Sequence, residues 1–247
     1  MGFYRGPNIV REGLVAYYDV ASSRCVDASQ PIDANTRLNN LAGSTVQMQP
    51  YDISNSNMSF VLENGSYVYN QNGINGGYPG WYSTELQSRT DNYTFICWFK
   101  YTYGSSNQRA NNIYGGGFSG STSFYLSPSG TSSSHGVLRY SDAGGANAYS
   151  LTGNFGGNDN QWHMFAAVDT GGDGAHSTEL FIDAISKGTA TSNTSYDTPD
   201  GNAQFTWGSW SITYGNFNGR SNCFMYYDRA LSADEIMQNY KTISNRF

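Results

Sequence analysis

Charge is scarce in this chain, and so are paired carboxylates, basic clusters and paired cysteines. Each scarcity closes off a class of function. Only 13% of the 247 residues are charged. Glutamate occurs five times, at Glu12, Glu63, Glu85, Glu179 and Glu235, and none has an acid two residues later. Glycoside hydrolysis needs two carboxylates about 5 to 9.5 Å apart. Glu179 and Asp183 share a strand face, but four residues of strand would hold them about 13 Å apart, too far to cooperate. There is no G-x-S-x-G elbow for a serine nucleophile and no C-x-x-C or H-x-x-x-H spacing for a transition metal. The histidines are His135, His163 and His176. His163 follows Trp162 inside an apolar alternation with no nucleophile near it in sequence, so packing is its expected role. The chain is expected not to be an enzyme.

Nineteen acidic residues against thirteen basic ones give a net charge of −6 and an isoelectric point near 4.9. Phosphate binding needs clustered Lys and Arg, so a nucleic-acid partner is not expected. Cys25, Cys97 and Cys223 are odd in number, and two of them sit in apolar alternations where a free thiol packs as a small hydrophobe. No apolar run of about 7 to 15 residues opens the chain, and no stretch nears the roughly 18 residues that cross a bilayer. The expectation is a protein made and assembled in a cytoplasm, without membrane insertion.

What is present is glycine (29), tyrosine (20) and strand patterning, with one strong helical pattern at the end. Cys223 to Asp228 alternates Cys223, Met225 and Tyr227 against Phe224 and Tyr226, a strand covered on both faces. Ser232 and Glu235 then form an S-x-x-E capping box, with Leu231 and Ile236 placed as a hydrophobic staple. Ile236, Tyr240 and Ile243 give the helix, over about 232–243, one apolar face.

Read in order, residues 1–12 form an extended arm, and residues 13–247 form one domain. The arm's Phe3, Tyr4, Arg5, Pro7 and Ile9 are candidates for assembly contacts, because such arms are ordered only when something holds them. Gly13 to Asp19 is the first strand, and Thr45 to Gln49 is strand-like. Ser59 to Leu62 and Ser66 to Tyr69 make a hairpin around Asn64-Gly65. Gly73 to Tyr82 reads as a glycine-rich loop presenting Tyr78, Trp81 and Tyr82, either a ligand-binding surface or a loop packed on its own aromatics.

Tyr93 to Lys100 is the clearest core strand, with Tyr93, Phe95, Cys97 and Phe99 facing one way and Ile96 and Trp98 the other. Short strands follow at Ser123 to Leu126, Val137 to Tyr140 and Ala148 to Thr152, then at Trp162 to Val168 and Thr178 to Asp183. The connection from Asp169 to Ser177 offers Asp169 and Asp173 as candidate calcium ligands, although Asp and Gly are also ordinary turn residues. Gln204 to Gly208 and Ser211 to Tyr214 precede the closing strand. Short strands separated by turn chemistry predict an all-β, two-sheet jelly-roll β-sandwich with a short C-terminal helix.

The phrases NYTFICWFK, QWHMFAAV with LFID, FTWG with FNG, and YDRALSADEI occur in the order seen in laminin-G-like domains of the concanavalin A-like lectin/glucanase superfamily. The chain resembles that family from about Gly13 to Tyr240. The resemblance implies a binding sandwich, with calcium at loop edges in some relatives. The E-x-D-x-E strand of the superfamily's glucanases is absent. Where the family commonly has Asp-Gly after the LFI strand, this chain has Asp183-Ala184, and because alanine tolerates positive φ poorly a turn of different shape is expected.

The opening, MGFYRGPNIVREGLVAYYD, is similar to the start of virion proteins of marine T4-like and related tailed bacteriophages. That second resemblance implies a structural protein of the virion, on head or tail, released by lysis, oligomeric or built into a larger assembly with other virion proteins. The alternative is an adhesin that binds a host surface glycan through Tyr78, Trp81 and Tyr82.

Overall fold

In the computed structural model the described residues are 8–51, 53, 58–71, 80–83, 92–102, 114–116, 123–127, 136–141, 149–153, 159–172, 175–192, 205–207 and 219–247. Their strands are β1 (Leu14–Asp19), β2 (Leu38–Asn39), β3 (Gln47–Tyr51), β4 (Met58–Glu63), β5 (Ser66–Gln71), β6 (Gly80–Ser83), β7 (Asn92–Thr102) and β8 (Tyr114–Gly116). They continue as β9 (Ser123–Ser127), β10 (Gly136–Ser141), β11 (Tyr149–Gly153), β12 (Asp159–Gly172), β13 (Ala175–Ile182), β14 (Ile185–Ser192), β15 (Phe205–Trp207) and β16 (Gly219–Tyr227). Helix α1 (Ala233–Ile243) and a 3₁₀ turn (Ser244–Arg246) close the chain.

All the pairings are antiparallel, and among the described residues they build two sheets. The first runs β14-β13-β12-β7-β16-β5-β4, with β1 also on β16, and the second runs β11-β10-β9-β8-β15-β6-β3-β2. Strand β16 serves three neighbours, β7 along one side and β5 then β1 along the other.

The expected two-faced strands organise the layers. Tyr93, Phe95, Cys97 and Phe99 of β7 and Phe224 and Tyr226 of β16 point into the space between the sheets, against Met48, Trp81 and Trp207. Ile96 and Trp98 of β7 and Cys223, Met225 and Tyr227 of β16 point the other way, where Leu231, Ile236 and Ile243 cover them. Ile236 and Ile243 are wholly buried, each stabilising the fold by roughly 2 kcal/mol through area removed from water.

The helix starts where the capping box predicts. Glu235 N–H donates to Ser232 Oγ (3.3 Å) and Ser232 N–H to Glu235 Oε2 (2.9 Å). Hydrogen bonds from Arg229 hold the Glu235 carboxyl down to about 2. Thr94 of β7 pins the approach, accepting from Leu231 N–H and donating to Arg229 C=O, both at 2.9 Å. Arg246 closes the last turn on the buried Asp19 carboxylate (2.6 Å), which also accepts from Tyr17 Oη (2.8 Å).

Ile9, a candidate assembly contact of an arm that docks on its own domain or a neighbour, is buried on the chain's own domain beside Val10. Asn239 makes this docking specific: its Oδ1 accepts from Val10 N–H (2.9 Å) and its Nδ2 donates to Tyr227 Oη (3.1 Å). Tyr227 Oη in turn donates to Val10 C=O (3.1 Å). Phe3, Tyr4, Arg5 and Pro7 lie outside the described residues. At Gly13, φ is +72° and a Cβ would stand 2.8 Å from Asp228 Oδ1, so only glycine fits where residues 8–12, a strap laid on the domain, turn into β1.

Two local expectations need correction, and one strand was not foreseen. The stretch Asp169 to Ser177 is largely ladder, since β12 runs through Gly172 and β13 begins at Ala175. Strand β14 follows a sequence without apolar alternation, because its pairing with β13 holds it there. The Asp183-Ala184 turn keeps the hairpin geometry that Asp-Gly would take, with φ of +52° and +61°. Asp183 enforces it: its N–H donates to Met164 C=O and its Oδ1 accepts from Met164 N–H, both at 2.9 Å. The hairpin at Asn64-Gly65 is as expected, with φ of +50° and +83°.

Two stability predictions follow from these contacts. A left-handed alanine costs about 1 to 2 kcal/mol, against roughly 0.4 to 1 kcal/mol of extra unfolded-chain entropy for glycine. Ala184→Gly is therefore expected to raise the denaturation midpoint, and a fall in that midpoint refutes the strain. Asn239→Ala strands the buried Val10 N–H and is expected to cost about 2 kcal/mol in urea unfolding; no change would mean the strap is not held through this amide.

Candidate functional site

Alternation along β3 and β6 decides which aromatics can meet a ligand. Met48 and Pro50 are buried, whereas Gln49 and Tyr51 are half-buried on the opposite face of β3. On β6, Trp81 is fully buried in the core between the sheets, stacked on Phe60 at 6.0 Å and 17°. Trp81 was expected on a presenting loop, and this placement removes it from the candidate surface. The glycines before it masked a short strand that pairs with both β3 and β15.

Its neighbour Tyr82 takes the opposite face. Its ring meets Tyr51 edge-on at 5.9 Å and 87°, and its hydroxyl is bonded by Gln49 Nε2. Gln47 stands beside them, exposed, its Nε2 donating to Asn39 Oδ1 at 2.6 Å. Two half-open phenol rings flanked by primary amides can offer an apolar face and hydrogen bonds to the same small polar ligand. Tyr78 lies outside the described residues.

Asp169 is buried in the β12–β13 ladder opposite Thr178, whose hydroxyl donates to Asp169 Oδ2 at 2.6 Å. It is thus a strand residue rather than the loop ligand expected for calcium, and Asp173 lies outside the described residues. Among the described residues no group of three or more His, Cys, Asp or Glu side chains could hold a metal ion. The thiols of Cys25, Cys97 and Cys223 are buried and free, and burial pushes each of them up.

Two polar clusters on the first sheet were not legible in the sequence. His163, at the head of β12, lies between two carboxylates, Nδ1 at 2.7 Å from Asp183 Oδ2 and Nε2 at 3.0 Å from Asp159 Oδ1. The bond to Asp183 leads in raising the imidazole above its ordinary 6.5, and Asp159 adds to it against the opposing effect of burial. The second cluster gathers on Glu63. Lys100 Nζ lies 2.8 Å from Glu63 Oε1, Trp162 Nε1 donates to the same oxygen at 3.2 Å, and Arg220 Nη1 pairs with Oε2. Burial raises the Glu63 carboxyl, but the bonds from Lys100, Arg220 and Trp162 together hold it below the ordinary value. Register is what brings this cluster together: Trp162 pairs with Lys100, and Lys100 with Arg220, on adjacent strands.

Two antiparallel sheets packed face to face, with a helix over the outer face of one, define a jelly-roll sandwich of lectin type. The chain belongs to the concanavalin A-like lectin/glucanases superfamily, its residues 75–237 matching that family's Laminin_G_3 model. No curated protein matches it in sequence.

Among solved structures it is similar to domain 4 of AbnA, a GH43 extracellular arabinanase from Geobacillus stearothermophilus, in complex with arabinotriose. The TM-score is 0.61 at 16% identity over 92% of this chain and 98% of that one. It is also similar to the binding domain of Paraclostridial Mosquitocidal Protein 1 (TM-score 0.64, 13% identity, 95% of this chain and 53% of that one). The binding domain of Botulinum Neurotoxin DC, in complex with SialylT, gives a TM-score of 0.65 at 9% identity over 94% of this chain and 52% of that one. The chain thus spans about half the length of these two toxin binding domains. At such identities the likeness is one of fold.

The His163 triad sets a pH dependence of stability. A folded-state pKa raised above the unfolded 6.5 contributes stability that is complete below 6.5 and is lost as pH rises through the folded value. The stability difference between the wild-type chain and His163→Gln is therefore expected to shrink as pH rises from 6 towards 9 in urea titrations. A difference that stays constant over that range would show that the two carboxylates do not raise His163 in the fold.

Proposed function

We propose that this chain is a non-enzymatic, glycan-binding sandwich carried on the virion of a tailed bacteriophage. The observation that carries the binding reading is the outward group of Tyr51, Tyr82 and Gln49. Aromatic faces against sugar C–H groups, with amide and phenol hydrogen bonds at their margin, supply affinity without chemistry. The likeness to an arabinanase domain in complex with arabinotriose, over nearly the whole of both chains, supports the same reading. The virion part is supported by the resemblance of Met1 to Asp19 to the openings of phage structural proteins. On this reading the partners are a host surface glycan and other virion proteins, with attachment of the particle as the outcome.

A glycan array probed with the wild-type chain and with Tyr82→Ala tests the binding reading. The variant is expected to lose about tenfold or more in affinity for the glycan the wild-type prefers, equivalent to about 1.4 kcal/mol, with its unfolding transition retained. Equal binding by both proteins moves the site off this face, and an array without a single bound glycan overturns the reading. Mass spectrometry of purified particles tests the virion part, which fails if the chain is missing from them.

A further inference from the structure

We infer that the row Trp162, Lys100 and Arg220, on the outer face of the first sheet, is a separate binding site for the carboxylate of an acidic saccharide, occupied by Glu63 when no ligand is bound. Lys100 is the register partner of both Trp162 and Arg220, so the three lie side by side on β12, β7 and β16, about 5 Å apart in Cβ position. Trp162 packs with the cluster beneath the helix, which places the row on the face away from the second sheet. Phe247 covers one side of the indole at 4.2 Å and 19°, and Trp162 is half-buried.

The row already holds a carboxylate. Lysine, arginine and an indole N–H converge on Glu63, whose side chain is 13% exposed. Two cations against one carboxylate leave a local surplus of positive charge in a chain of net charge −6. Arg220 is 40% exposed, and among the described residues Nη1 alone of its guanidinium nitrogens is engaged by a side chain, leaving most of its five N–H donors for a second planar acceptor.

Glu63 is attached to the tip of an edge hairpin. It precedes the Asn64-Gly65 turn on β4, the last strand of its sheet, and its neighbour Leu62 is 65% exposed. To swing outward the Glu63 side chain gives up its bonds to Lys100, Arg220 and Trp162, and an incoming carboxylate offers those donors the same charge-assisted partner. A ligand carboxylate can then take the place of Glu63 while its sugar ring lies against the indole.

This site is independent of the Tyr82 face, and the test keeps the two apart. Tetragalacturonate and 3′-sialyllactose are titrated calorimetrically into the wild-type chain, Glu63→Gln, Glu63→Asp, Arg220→Ala and Tyr82→Ala, with near-ultraviolet circular dichroism checking the fold of each. Removing the internal competitor in Glu63→Gln is expected to tighten binding of at least one probe about tenfold. Glu63→Asp, which withdraws the charge by one methylene, is expected to give a smaller gain. Arg220→Ala is expected to abolish binding, Tyr82→Ala to leave it unchanged, and the methyl-esterified tetragalacturonate to fail. Binding of the ester equal to that of the acid, or a folded Glu63→Gln that binds neither probe, overturns the inference whatever the neutral-glycan array shows.

Discussion

A strand that is apolar on both faces needs two covers, and β16 imposes that requirement on the whole domain. Its inward face is met by the second sheet and its outward face by α1 and the strap at Ile9 and Val10. The helix follows its strand directly, but the strap lies more than 200 residues before the strand it protects. Both covers bring backbone polar groups into an apolar layer, where an unmet donor costs several times what a satisfied one contributes. The triangle of Asn239, Tyr227 and Val10 meets that demand on one side. On the other side, Thr94 fixes the entry to the helix. The Asp19–Arg246 pair holds its exit to β1, so the outer layer is located by a few specific polar contacts and stabilised by apolar area.

How much could be read from the residues depended on how local the deciding force was. The two faces of β7 and β16 were legible because alternation is written into consecutive residues and burial only confirms it. The capping box was legible for the same reason, since Ser232 and Glu235 interact across three residues. Trp81 was misread because GGYPGWY carries loop chemistry, while the strand it belongs to is four residues long and exists through pairing with β3 and β15. The Asp183-Ala184 turn was misjudged because its positive φ is imposed by bonds to Met164, nineteen residues earlier. Of the candidate ligand residues, Tyr82 alone stands on an outward face among those described. Its partners Tyr51 and Gln49 carried no signal, because a single half-open aromatic in a tyrosine-rich chain looks like any other.

The Glu63 cluster shows the same limit more sharply. Its members are numbered 63, 100, 162 and 220, and no window of sequence contains two of them. What relates them is the order β12-β7-β16 and a register that sets three side chains in line across the sheet. Strand order is fixed by which apolar faces must be buried, so the polar row is a by-product of core formation that becomes a site only because its face is left partly open.

Rigid strands have a consequence for recognition. Tyr51, Tyr82, Lys100, Trp162 and Arg220 all project from paired strands, so their backbones are already ordered before any ligand arrives. Much of the entropy that a flexible loop would lose on binding is therefore lost during folding instead. Such a surface is preorganised for reversible contact with a ligand. The two acids that sequence spacing placed on one strand face have separate structural roles here: Glu179 accepts from Ser186 across the β13–β14 ladder, and Asp183 holds a turn and a histidine. Neither role leaves the two carboxylates facing a common substrate; both acids stabilise the scaffold.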